Sequence, residues 1–512
     1  MAVGGSVALS EQEQRRSVRG RAGTLLAWCV PILIGLALRF PHLVESLWYD
    51  EVWRTDAVLR GGKFTRILFH DVHNPLYNLV MYAWTAVAGD SEISIRLPSL
   101  FFAAVSLWVL ARWIQSRFCH LAAWLVTTLL LLSPVHAWYS CEAKNTMLVF
   151  MLAVLTVIRA DAMLEKPTTR NALLTALFAI LGVGTSWQAF LLLLPLWLVL
   201  IAIAGHPSLM AREQGVYTTA NRRRAVLLSI VVTFAVLSPL LIFKAFHAKE
   251  LARDYVVALD MHHTIRLLLI WYPTGNALMR LRDSTFILNA GAYGLIVIPP
   301  FIAGVRALWP TFSGRLVVAC AVGPIAILLA STLLFTTVGA EPPRIYQDRN
   351  TLVAMPWLFA IVAIGGTSLL RFRAIFVALL IALSLASSIA AVTWRADKPT
   401  VMNPNPDWRS AATFIRQSTT STKPPIVVST CPLLPLDYYL PEATHAEITW
   451  NADIAVLIEK FRVANPERDV YFINNPFWFG HPGDQLKSLE ARLNPLETVR
   501  VRSLQIYHLR RP

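Results

Sequence analysis

Two neighbouring carboxylates, Asp50 and Glu51, stand in Ser46-Leu-Trp-Tyr-Asp-Glu-Val-Trp53, directly after the first long apolar run. An ionised pair stranded in hydrocarbon is costly, so beside a membrane helix exit it belongs in a water-filled cavity. There it can take a proton as a general base. The competing reading is a solvated pair in a first helical turn, where acidic residues are favoured. A second charged cluster is Ser133-Pro-Val-His-Ala-Trp-Tyr-Ser-Cys-Glu-Ala-Lys-Asn145. Its Glu142 and Lys144 fit either a site or an interfacial anchor beside the aromatic residues Trp138 and Tyr139. Arg344 and Arg349 in Glu341-Pro-Pro-Arg-Ile-Tyr-Gln-Asp-Arg-Asn350, and Arg96 in Arg96-Leu-Pro-Ser99, are cations at span edges suited to binding a lipid phosphate. His73 is a candidate metal ligand with Asp50 or Glu142, since imidazole and carboxylates can share a divalent cation. No Cys/His cluster accompanies it, and the five cysteines are scattered, with Cys141 and Cys431 expected as free thiols.

The elements that must position these residues follow from composition. Of 512 residues 55% are hydrophobic and only 15% charged, which marks an α-helical polytopic membrane protein. Apolar runs near Thr24–Val44, Leu97–Ile114, Leu121–Val135, Thr146–Ile158, Ala172–Ser186, Trp187–Ala204, Ala225–Phe243, Ser284–Val305, Leu316–Thr337, Thr351–Leu370 and Ala374–Trp394 give about 11 transmembrane helices. Arg112 and Arg117, Lys166 and Arg170, Arg212 with Arg222-Arg-Arg224, Arg306 and Arg315, and Arg371 and Arg373 then all fall in cytoplasmic loops, as the positive-inside rule requires. This asymmetry accounts for most of the net charge of +15, so no nucleic-acid partner is implied.

Residues 1–23 read as a cytoplasmic basic tail and 24–394 as the membrane domain, with 45–96 its first external loop. Within that loop Asn74–Ala88 is apolar but, at roughly 15 residues, short for a span; it reads as a surface helix opened by Asn74-Pro75. Residues 262–273 read as another surface helix. From Arg395 the chain turns soluble. Strands at Ile426–Ser429, Ala446–Thr449, Val470–Ile473 and Gln505–Leu509, with helices at Trp408–Arg416, Asp453–Phe461 and Gln485–Leu493, predict a small C-terminal periplasmic α/β domain over 395–512.

The ordered motifs Trp-Tyr-Asp50-Glu51, His73-Asn-Pro-Leu-Tyr77, Gly89-Asp-Ser-Glu-Ile-Ser-Ile-Arg96-Leu-Pro-Ser99, Ser133 to Lys144, Arg349-Asn-Thr-Leu-Val-Ala-Met-Pro356 and Asp407-Trp-Arg409 resemble those of bacterial membrane glycosyltransferases of the GT-C fold. The kin are the protein O-mannosyltransferase and lipid A aminoarabinose transferase superfamily, and the resemblance covers roughly Thr24 to Trp394. It implies a hexosyl- or pentosyltransferase of the bacterial inner membrane, moving a sugar from a polyprenyl-phosphate donor to a glycolipid, glycan or protein acceptor on the outer face. By that resemblance Asp50, supported by Glu51, carries catalysis. Arg96, Lys144, Arg344 and Arg349 bind the donor phosphate, and His73, Asn74, Glu142 and Tyr346 contact substrate. The chain departs from the pattern at three places: His-Pro-Pro is His73-Asn-Pro75, Glu-Ala-Arg is Glu142-Ala-Lys144, and Arg-Tyr-Leu is Arg349-Asn-Thr-Leu352. Asn74 cannot neutralise charge, and Lys144 lacks a bidentate fork.

Two other classes fit a polytopic chain with charged loops. A lipid-sugar flippase or transporter would carry its charges inside the spans near the midplane, whereas here they gather at one face. An O-antigen ligase or polymerase would also use lipid-linked glycans, but the early acidic loop argues against it.

Overall fold

The computed structural model describes residues 28–52, 75–206, 218–246, 283–337, 348–393, 406–429, 433–448, 454–474, 489–501 and 504–509. The helices of the membrane part are α1 (Trp28–Leu43), α2 (Pro75–Ala88), α3 (Glu92–Arg117), α4 (His120–Leu132), α5 (Pro134–Ser140), α6 (Thr146–Glu165), α7 (Thr169–Thr185), α8 (Gln188–Gly205), α9 (Thr219–Phe246), α10 (Asp283–Leu308), α11 (Phe312–Thr337), α12 (Met355–Ser368) and α13 (Arg373–Thr393). A 3₁₀ turn, Asp348–Ala354, leads into α12. Over their described residues the eleven apolar runs are helical, the third broken at Ser133. Among the described residues six helices are both long and apolar enough to cross a bilayer, and the bent pair α4 and α5 adds a seventh. The helices at 28–43, 169–185, 293–308 and 373–389 are shorter and equally apolar. The chain is a multi-pass membrane protein.

Two local signals turn the chain where the site forms. Ser91 Oγ accepts the Ser94 N–H at 3.3 Å, capping α3 and setting Glu92 in its first turn, where an acid complements the helix dipole. Between α4 and α5, Ser133 caps the new helix and Pro134 occupies its first position, where its missing N–H would be unpaired in any case. The axis bends there by 68°, carrying residues 134–144 across the end of the bundle. The short helix α2 spans about 21 Å at 1.5 Å per residue, less than the roughly 30 Å hydrocarbon layer. It buries Tyr77, Asn78 and Met81 against the bundle.

Close backbone contact holds the centre. A Cβ on Gly365 of α12 would lie 1.7 Å from the Pro300 carbonyl oxygen of α10, and one on Gly304 would lie 2.0 Å from that of Ile361. Small residues at a crossing let membrane helices approach and gain dispersion contacts that lipid cannot match. At the end remote from the acidic turn, Asp161 of α6 is fully buried. It accepts from Trp113 Nε1 at 2.9 Å and Arg117 Nε at 2.7 Å on α3, and from Ser313 Oγ at 2.5 Å on α11. The apolar run at Thr146–Ile158 stops short of this residue, because α6 continues to Glu165. A buried acid invites a functional reading, but three converging donors make this one a tie between helices.

The C-terminal unit comprises α14 (Trp408–Ser418), β1 (Ile426–Ser429), α15 (Leu434–Tyr439), β2 (Thr444–Glu447), α16 (Ile454–Ala464), β3 (Val470–Asn474), β4 (Glu497–Val501) and β5 (Leu504–Leu509). The sheet order is β2-β1-β3-β5-β4, with β1 parallel to β2 and β3, and β5 antiparallel to β3 and β4. The second strand starts two residues before the expected Ala446. The strand at Glu497–Val501 escaped the sequence reading because its exposed Glu, Thr and Arg dilute the apolar pattern of an edge strand. The helix at 262–273 lies outside the described residues.

Gly365→Leu should therefore drive α10 and α12 apart and cost about 1–3 kcal/mol or more, typical of overpacking. Gly205→Ala, where a Cβ meets nothing within 4 Å, should leave stability within about 0.5 kcal/mol. Thermal unfolding of the two purified variants in one detergent makes the comparison.

Candidate active site

The acidic turn begins at once after α1. Residues 49–52 are helical, and the Glu51 and Val52 N–H groups both point to the Trp48 carbonyl at 3.1 Å. Trp48 is thus the N-cap, and Glu51, three residues on, reaches back to accept the Trp48 N–H at 3.3 Å, one half of a capping box. Asp50 and Glu51 consequently leave the turn in different directions and meet different surroundings.

Glu51 is 1% exposed. Its Oε1 accepts from Arg96 Nε at 2.8 Å and from the Ala143 N–H at 2.9 Å, and its Oε2 accepts from Arg96 Nη2 at 2.6 Å. With Trp48, four donors fill the carboxylate. Arg96, also 1% exposed, directs its other N–H groups to the carbonyls of Leu43 (3.0 Å), Glu45 (2.5 Å) and Ser46 (3.3 Å). Arg96 was expected to bind donor phosphate, and the structure turns it inward instead. Its fork is committed to a buried carboxylate and three backbone oxygens. Glu51, likewise, has its carboxylate oxygens taken by donors and none turned to a substrate proton.

Asp50 is the open member, with a side chain 28% exposed, and it pairs with Lys144 Nζ. Lys144 comes from the turn between α5 and α6, where its N–H closes on the Glu142 carbonyl at 2.8 Å. That turn brings Glu142 Oε1 to 3.6 Å from Lys144 Nζ, and the ammonium also lies 5.1 Å above the Trp48 ring, a cation–π contact. Ser99 of Arg96-Leu-Pro-Ser99 fixes the Lys144 carbonyl at 3.3 Å, and Asn145 Nδ2 reaches the Thr185 carbonyl at 3.2 Å. The expected residues Asp50, Glu142 and Lys144, distant in sequence, therefore converge. The charge between the two carboxylates is the Lys144 ammonium, which a divalent cation shared by Asp50 and Glu142 would have to displace.

His73, Asn74, Arg344 and Tyr346 lie outside the described residues. Arg349 belongs to the 3₁₀ turn leading into α12. Sequence reading missed Trp48 as the platform under Lys144. It also missed Arg39 of α1, which is 2% exposed and reaches Ser140 Oγ at 2.9 Å, His136 Nδ1 at 2.7 Å and the carbonyls of Gly35 and Leu131. An arginine at a span exit resembles a boundary marker, and nothing local reveals its buried partners. Beside it an apolar cavity of about 420 Å³ opens between α1, α3 and α4.

Removing one partner of a buried ion pair costs about 3–5 kcal/mol, so Arg96→Ala should lower stability by that order, and Arg96→Lys, lacking the fork, should not restore it. Asp50→Asn, at a half-open carboxylate, should shift it by under about 1 kcal/mol. Denaturation of the purified variants measures both.

No protein-family description and no curated protein sequence matches the chain. Among solved structures it is similar to ArnT from Cupriavidus metallidurans in the apo state, at 12% identity and TM-score 0.57, over 96% of this chain and 98% of that one. The same protein bound to undecaprenyl phosphate aligns at 12% identity and TM-score 0.53, over 94% and 97% of the two chains. The likeness runs through the helical bundle and the appended sheet alike, and the chain has the GT-C fold.

Proposed function

We propose that this protein is a glycosyltransferase of the bacterial inner membrane that moves a hexosyl or pentosyl group from a polyprenyl-phosphate donor to a cell-envelope acceptor hydroxyl on the outer face. The observation that carries this reading is the half-open Asp50 carboxylate touching the Lys144 ammonium at the mouth of a GT-C bundle. A glycosyl transfer of this kind needs a base for the acceptor and a cation for the leaving phosphate within one site. The binding of undecaprenyl phosphate by ArnT, a protein of the same fold, supports the donor class. The apolar cavity beside Arg39, between α1, α3 and α4, has room for part of an isoprenoid chain.

The acceptor oxygen attacks the anomeric carbon as the bond from that carbon to the phosphate oxygen breaks. Asp50 takes the hydroxyl proton, the sugar passes to the acceptor, and polyprenyl phosphate leaves with the bonding electron pair. Lys144 sits where it can meet that developing charge, which frees Asp50 from its ion partner as the proton arrives. Glu142 then shares the ammonium and limits how far it swings. Arg349, in the 3₁₀ turn that leads into α12, adds positive charge, and Arg344 is assigned the same part. Glu51 and Arg96 supply no chemistry in this scheme; they fix the turn on which Asp50 stands.

Single-turnover transfer from a panel of radiolabelled undecaprenyl-phosphate hexoses and pentoses to envelope extracts is the test. Asp50→Asn should lose about 10²–10⁴-fold in rate with donor affinity nearly constant. Arg349→Ala should weaken donor binding by the loss of a charge-assisted contact, about 1.5–3 kcal/mol, at nearly constant saturated rate. Lys144→Ala should lower both quantities, because it removes the phosphate cation and the partner of Asp50 together. Wild-type turnover in Asp50→Asn moves the chemistry elsewhere, to Glu142 first.

A further inference from the structure

The soluble unit touches the acidic turn through a small set of directional contacts. Tyr439, the last residue of α15, accepts the Leu47 N–H on its phenolic oxygen at 2.7 Å and donates to Glu92 Oε1. Arg409 of α14 donates its backbone N–H to Ser46 Oγ at 3.3 Å, its Nε to Glu92 Oε1 at 3.1 Å, and its Nη2 to Glu92 Oε2 and to the Val44 carbonyl, the latter at 3.1 Å. Tyr438 adds a bond to the Asp90 carbonyl at 3.0 Å. These side chains are rigidly mounted. Asp407 caps α14 through the Ser410 N–H at 3.1 Å, Trp408 is buried in the unit's core, and Arg416 of α14 grips both the Tyr439 carbonyl and Glu442.

The chain between the end of α1 and Asp50 is thus held from two sides. Arg96 takes the carbonyls of Leu43, Glu45 and Ser46 from the membrane side, while Arg409 and Tyr439 take Val44, Ser46 and Leu47 from the soluble side. Trp48 is closed by Glu51. Every residue from Leu43 to Trp48 has a fixed partner, and Asp50 follows two positions later. Burial and the bond to Glu92 raise the Tyr439 phenol above its ordinary value, so it stays protonated and keeps donating across the neutral range.

We propose that the C-terminal α/β unit is part of the active-site machinery, with Tyr439 and Arg409 as positioning residues that set the place of the Asp50 carboxylate. The inference rests on the assignment of Asp50 as the base. It gives the Asp407-Trp-Arg409 motif a division of labour: cap, core anchor and grip on the acidic loop. Displacing a catalytic group by about 1 Å can cost of the order of a hundredfold in rate, so the loss of one such contact is expected to be read in turnover.

Tyr439→Phe removes one oxygen and keeps the packing. In full-length protein in nanodiscs, using the donor that the wild type turns over, it should lower the single-turnover rate about tenfold or more. Affinity for undecaprenyl phosphate should change less than about twofold, since no phosphate cation is touched. The same substitution in the Asp50→Asn background should cost less than about twofold, because residues acting through one group are not additive. Arg409→Lys should behave in the same way if Tyr439→Phe accumulates poorly. Lys423→Ala, which breaks the Lys423–Glu467 pair elsewhere in the unit, should leave turnover unchanged. An equal loss in both backgrounds, or full turnover in Tyr439→Phe with Asp50→Asn inactive, overturns the positioning role alone. A fully active Asp50→Asn overturns the base assignment and the positioning role with it.

Discussion

The bidentate pair of Glu51 and Arg96 is the constraint on which the site is built. Its two members come from the turn after α1 and the N-terminal part of α3, and the Ala143 N–H brings in a third segment, the turn carrying Glu142 and Lys144. Desolvating a carboxylate and a guanidinium is offset only when every lone pair and N–H finds a partner, and here the backbone supplies what the side chains do not. The carbonyls that satisfy Arg96 belong to the linker that presents Asp50. Electrostatic completeness of the buried pair and geometric definition of the open acid are therefore one and the same arrangement.

Adjacent residues of like chemistry acquire opposite roles by a rotation of about 100° on a helical turn. Glu51 faces protein and is surrounded by donors, while Asp50 faces the mouth and pairs with the Lys144 ammonium. An ion pair whose members are both saturated is inert. One that pairs a half-open carboxylate with an ammonium on a flexible stem can exchange partners when a phosphate arrives.

Much of the fold was legible, because apolar run length reports membrane helices through a single physical requirement, the satisfaction of backbone polar groups in hydrocarbon. Each expected run is helical over its described residues, and the short helix α2 begins at the proline that the sequence marked. For the candidate site the sequence marked charged residues but not their connections. Asp50, Glu142 and Lys144 stood out as charges in apolar surroundings, but the same reasoning assigned Arg96 to phosphate, since a charge at a span edge looks alike whether it faces a ligand or a buried acid. The contacts of Tyr439 and Arg409 with Glu92 and the acidic loop span more than 310 positions, for which local pattern carries no signal. Asp161 was hidden for a simpler reason: the apolar run ends before it, although the helix does not.

The Asp161 tie also orders how the bundle can be made. Its acceptor lone pairs are filled from Trp113 and Arg117, which are synthesised earlier, and from Ser313, which lies 152 positions further on. At about 5–20 residues per second, α6 would wait some 8–30 s for α11. An acid buried without a partner is expensive, so α3 and α6 gain by associating while α11 is still unmade. The same three donors that look equivalent in the finished protein thus divide into an early pair that meets the charge first and a late one that closes the bundle around it.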